Sequence, residues 1–100
     1  MLIYNVTVNL EPSIVEEWLE WMTTVHIPEV VATGYFQSYQ LFKILKEDAE
    51  HEYTYCIQYQ CESYIYYKQY QIEEAPRLQA KHTQKFEGKF IAFRTLLQTL

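Results

Sequence analysis

The run Leu2-Ile3-Tyr4-Asn5-Val6-Thr7-Val8-Asn9-Leu10 alternates from end to end, and Glu11-Pro12-Ser13 stops the alternation. Leu2, Tyr4, Val6, Val8 and Leu10 make one wholly apolar row, opposed by Ile3, Asn5, Thr7 and Asn9. A period of two predicts a strand with one buried face. Beyond Pro12 the period changes. At about 100° per residue, positions 14–26 describe an apolar arc of roughly 160°. In angular order the arc holds Trp21, Ile14, Val25, Trp18, Met22, Val15, His26 and Leu19, with Glu16, Glu17, Glu20, Thr23 and Thr24 opposite. This is the pattern of a helix laid across a sheet. Either Pro12 is its first residue, or Ser13 and Glu16 form a capping box. Pro28 disfavours helical geometry at Ile27, so a break is expected near His26, with a short second turn through Val31 before Gly34.

Period two returns over residues 35–45, where Tyr, Phe, Leu and Ile interleave with Gln, Ser and Lys. Lys46-Glu47-Asp48-Ala49-Glu50-His51 is expected to be an exposed charged loop. Tyr53, Tyr55, Ile57, Tyr59 and Cys61 then line one face of a third strand, against Thr54, Cys56, Gln58 and Gln60. Ser63 suits the cap of a second helix, Pro76 predicts a kink around Glu74-Ala75, and Gly88 ends the helix. Residues 89–97 read as the last strand. The order is β-α-β-β-α-β over a single domain of residues 1–100, an α+β ferredoxin-like arrangement: a four-stranded antiparallel sheet with two helices on one face. The other face carries Gln58, Gln60, Thr95 and neighbouring aromatics, a mixed surface that a second copy would close.

Composition narrows the partners. The chain has ten tyrosines, seven of them between positions 53 and 70, a density suited to half-buried faces and interfaces. Its net charge is −5, which opposes polyanion binding over the whole surface. Acids dominate residues 1–52, whereas Arg77, Lys81 and Lys85 recur every four residues near the other end. That stripe reads as a solvated helix face rather than an anion site. Cys56 and Cys61 are five apart on one strand, hence on opposite faces, so they neither pair nor share a metal. Unpaired cysteines, the lack of a signal segment and the lack of an apolar span predict a cytoplasmic protein that does not enter a membrane.

Several runs are familiar in combination: Tyr4-Asn5-Val6-Thr7-Val8-Asn9, Trp18-Leu19-Glu20-Trp21-Met22, His26-Ile27-Pro28-Glu29, Cys61-Glu62-Ser63, Ala75-Pro76-Arg77-Leu78 and Gly88-Lys89-Phe90-Ile91-Ala92-Phe93-Arg94-Thr95. Over nearly the whole chain they resemble a family of short bacterial proteins classed only as a domain of unknown function. The resemblance implies a homodimeric α+β barrel, in which two ferredoxin-like sheets pack face to face. It implies no activity. The wider superfamily includes cofactor-free monooxygenases, haem-degrading enzymes, isomerases and proteins without known catalysis, a breadth that leaves function to the site.

Trp18, Trp21, Met22 and His26 share one helix face and form the candidate ligand pocket, between helices and sheet. His26 is the candidate catalytic residue, as a general base or as the group that orients a carbonyl. Burial alone also accounts for the indoles, since each ring removes roughly 150–250 Å² from water. In that case His26 would bond a last-turn carbonyl. His82 lies on an apolar row between Leu78 and Phe86. Antiparallel helices are expected to place the two histidines at opposite edges of the sheet, so no metal site is expected within a subunit, and no cofactor is called for. Arg94, in one row with Phe90, Ala92 and Leu96, requires a partner or a ligand anion and joins the candidate pocket.

RNA-binding domains share this element order and stack bases on aromatics of the central strands. Tyr53, Tyr55 and Tyr59 would have to serve, yet the basic signature is missing, so no nucleic acid is expected. The sequence thus points to a homodimer of unassigned function with a small apolar or aromatic ligand between helices and sheet. One alternative is a cofactor-independent monooxygenase or isomerase using His26. Another is a structural or partner-binding module built on the Tyr-rich strand and residues 47–52.

Overall fold

A computed structural model describes residues 1–45 and 53–100. The charged loop expected at residues 46–51, and the acidic stretch to residue 52, lie outside the described residues. Four strands, β1 (Leu2–Leu10), β2 (Ser38–Lys43), β3 (Thr54–Cys61) and β4 (Phe90–Gln98), form one sheet in the order β2-β3-β1-β4. Every neighbouring pair is antiparallel. The fold is ferredoxin-like, as the element order predicts. β2 is shorter than the alternation suggested: Phe36 leaves the strand row and is buried in the core.

The registers explain which rows meet. Val6 faces Ile57 on one side and Arg94 on the other, and Val8 faces Tyr55 and Ala92. These residues form the helix-covered face, with Tyr4, Leu10, Tyr59 and Cys61. Tyr55 and Tyr59 are therefore buried under helices. The open face of the two central strands presents Asn5, Thr7, Cys56 and Gln58 instead, so Tyr55 and Tyr59 are not displayed there.

The helical layer begins at Pro12, which opens a 3-10 turn (Pro12–Ile14) without any side-chain cap, so the Ser13–Glu16 box is not formed. The turn leads into α1 (Val15–Trp21), a π-helical turn (Met22–His26) and α2 (Ile27–Ala32). After β3, α3 (Tyr64–Glu73) is capped by the Ser63 hydroxyl, which accepts from the Tyr66 amide at 3.2 Å. Pro76 divides this layer as expected, and α4 (Ala75–Lys85) follows Glu74, whose φ of −121° marks the joint. Gly34 and Gly88 close the two helical layers with φ of +87° and +76°, values that side chains rarely accept.

The uncovered face is apolar along its β4 edge. Ile91 is 72% exposed and Phe93 61%, with Leu97 in the same row and Phe42 on β2. Asn5, Gln58 and Thr95 fill the centre of that face. Cys56 lies on this side and Cys61 on the other; both thiols are free.

Candidate functional site

The helix is expected to break at His26, but it continues. A π turn leaves one more residue per loop than an α turn, and Ile27 donates its amide to the Met22 carbonyl across it. Pro28 then sits in the first turn of α2, where a missing N–H costs nothing. The hydroxyls of Thr23 and Thr24 donate to the carbonyls of Leu19 and Glu20 along the same stretch. The extra residue also rotates the helix phase. Val25, expected within the apolar arc, is turned outward, while His26 is buried. His26 is thus a mid-helix residue, not a terminal one.

This changes its relation to His82. The rings lie with centroids 5.7 Å apart, which overturns the expected separation across the sheet. His26 is carried past the expected break because α2 continues after it, and this places it against His82 in the last turn of α4. Trp18 is fully buried, and its indole Nε1–H donates to Nε2 of His82 at 2.9 Å. Nε2 is therefore an acceptor and the neutral ring carries its proton on Nδ1. Phe90 meets the same ring edge-on at 4.4 Å. Trp21 stacks on His26 at 4.9 Å and packs edge-on against Phe86.

Burial dominates the protonation of both imidazoles. His26 is lowered to about 4 chiefly by desolvation, with Glu29 opposing and Lys81 and Arg94 assisting. His82 is lowered to about 4 by desolvation, then by His26 and Arg94. Both rings are neutral at pH 7. Burial likewise raises Tyr59 and Tyr70, which stay phenols.

These groups border a partly open cleft of about 40 Å³, room for one or two waters. Met22, His26, Tyr59, Tyr70, His82 and Arg94 converge on it, with Val6, Ile57 and Leu78 among its apolar walls. Of the candidate pocket residues, Met22, His26 and Arg94 border the cleft. Trp18 and Trp21 stand behind the two histidines. His82 was legible as a histidine on an apolar row, but its bond to Trp18 has no signature in spacing.

Among the described residues, two polar groups in this cleft have no partner. Nδ1 of His26 is buried without a hydrogen bond. Arg94, exposed on the open side, has no carboxylate within ion-pair distance among the described residues. The cationic stripe differs: Arg77 pairs with Glu74 at 2.6 Å, Lys81 with Glu29 at 3.0 Å and Lys85 with Glu17 at 3.5 Å. Those cations are neutralised, and Lys81 and Lys85 tie the two helical layers together. Among the described residues no group of three or more His, Cys, Asp or Glu is placed to hold a metal. None of the described helices is long and apolar enough to cross a membrane.

Residues 1–100 match the family described as Domain of unknown function (DUF4286). The chain belongs to that family. No curated protein sequence matches it. Among solved structures, a dimeric ferredoxin-like protein from an uncultured marine organism superposes with a TM-score of 0.71 at 13% identity, covering 100% of this chain and 95% of that one. The heme-degrader MhuD from Mycobacterium tuberculosis, with two hemes bound in its active site, gives 0.72 at 13% identity, covering 100% and 96%. A putative antibiotic biosynthesis monooxygenase from Nitrosomonas europaea gives 0.68 at 7% identity, covering 100% and 99%. At these identities the likeness concerns the fold.

Proposed function

We propose that this member of the family is a cytoplasmic homodimer that binds a small apolar or aromatic molecule in the cleft between helices and sheet of each protomer. The observation that carries the reading is the buried Nδ1 of His26, which has no partner at the wall of a cleft. A buried polar atom left unpaired costs roughly 1–3 kcal/mol, and a ligand or ordered water in the cleft offsets that cost. The dimer rests on the exposed apolar row Ile91, Phe93 and Leu97, an expense to a soluble monomer that a second sheet would cover. The structural neighbour named as dimeric supports the same arrangement. Two free thiols agree with a reducing compartment.

A catalytic version of this reading makes the protein a cofactor-independent monooxygenase or isomerase, with His26 as the acid/base. It is favoured by the neutral imidazole facing the cleft and by the enzymes among the structural neighbours. Native mass spectrometry of freshly purified protein tests both. A dimer carrying extra mass that is lost on denaturation is the expected result. A dimer of bare chains whose His26 signals respond to no small molecule would return the protein to the structural class, and a monomer would remove the barrel.

A further inference from the structure

We infer that the ligand of this cleft is a small organic anion, a carboxylate or enolate on an aromatic or apolar body, and that Arg94 holds its charge. The inference rests on the binding reading above and specifies the ligand's class. Four observations carry it. Arg94 projects from β4 beside Val6, into the row that faces the helices. Arg94 borders the cleft yet has no carboxylate partner among the described residues, although the chain is acidic and the cations on the neighbouring helix face are all paired.

The groups around Arg94 sharpen the selection. His26 and His82 are neutral, and no acidic side chain borders the cleft, so the local charge is that of one guanidinium. Trp18 fixes the His82 tautomer with its proton on Nδ1, which supplies a neutral donor. Tyr59 and Tyr70 keep their hydroxyl protons. Arg94 is the donor-only group of the cleft, whereas its hydroxyls, imidazoles and the Gln79 amide both donate and accept. A planar fork of N–H groups matches a carboxylate or a delocalised oxyanion better than a neutral carbonyl. The apolar walls of Val6, Ile57, Leu78 and Ala92 accept an aromatic or aliphatic body but no second charge. At about 40 Å³ the cleft takes a head group or a ring edge, so the rest of such a ligand would extend through its open side.

Benzoate and benzamide are nearly isosteric and differ by one charge. Each is titrated into the uniformly ¹⁵N-labelled full chain at pH 7, observing the side-chain signals of His26, His82 and Arg94. Benzoate is expected to bind about tenfold more tightly than benzamide, and Arg94→Gln to abolish the difference. Arg94→Lys is expected to retain part of it, because the charge remains while the fork is lost. Equal affinity for both probes, or a preference that survives Arg94→Gln, would overturn the anion assignment and leave the pocket standing. Silence of the cleft signals to both probes would overturn the pocket as well. Because Arg94 is exposed on an edge strand, its variants are expected to keep the wild-type amide spectrum.

Discussion

Trp18 and His82, 64 residues apart in the chain, are joined by an indole N–H donated to an imidazole nitrogen at 2.9 Å inside the core. The bond fixes where the His82 proton sits and joins the first helical layer to α4. Trp18→Phe keeps most of the ring volume but removes the donor, leaving the buried nitrogen unpaired. A loss of about 2 kcal/mol is expected by chemical denaturation. Imidazole ¹⁵N shifts should report proton on Nδ1 in the wild type and a tautomer mixture in the variant. An unchanged tautomer would mean that another group sets it.

Stability should fall on mild acidification. His26 and His82 have folded values near 4, below the ordinary 6.5, so the unfolded chain binds more protons between those limits. Stability then rises with pH across that window and is progressively lost as pH falls from about 6.5 towards 4. The groups facing the pair are Glu29, which favours protonation, and Lys81 and Arg94, which oppose it. Between pH 7 and pH 5 the expected loss is about 4 kcal/mol for the pair, read by chemical denaturation, and replacing both histidines should flatten the profile. A profile that stays flat in the wild type would place both rings in water.

Much of this site was legible in the sequence, and the remainder had physical reasons to be hidden. The alternation of β1 and β3, the Ser63 cap, the Pro76 joint and the glycines at 34 and 88 are local signals that the tertiary structure leaves intact. Arg94 and His26 stood out because ionisable groups on apolar rows are costly. The π turn did not stand out. A proline at position 28 reads as a helix stop under α geometry, and only the wider turn lets the helix pass it. That single residue of phase turns Val25 outward, and the continued helix keeps His26 inside the layer, where it meets His82. Pairing across helices, as between Trp18 and His82, depends on the register of two packed elements, which no spacing within either element encodes.

The open sheet face should control assembly. Phe93 is 61% exposed in the apolar β4 row, opposite Thr7. Phe93→Glu places a charge where two sheets would meet, and like charges from two copies would oppose each other. Sedimentation velocity is expected to show a dimer for the wild type and a monomer for the variant, with far-UV circular dichroism unchanged. A variant that still sediments as a dimer would move the interface elsewhere.

His26→Phe should separate stability from binding. The buried Nδ1 of His26 has no partner, so the wild type carries a desolvation cost that a hydrocarbon ring avoids. Phenylalanine is similar in shape and retains the stacking that Trp21 makes with the imidazole at 4.9 Å. The variant is expected to gain about 1 kcal/mol at pH 7, because its ring needs no partner in the enclosed space. Its ligand response should weaken in the same benzoate titration, since the polar wall of the cleft is gone. A purely structural histidine predicts a different pair of results: lost stability and an unchanged ligand response. Gained stability with lost binding would mean that His26 is retained for the cleft at the expense of the core.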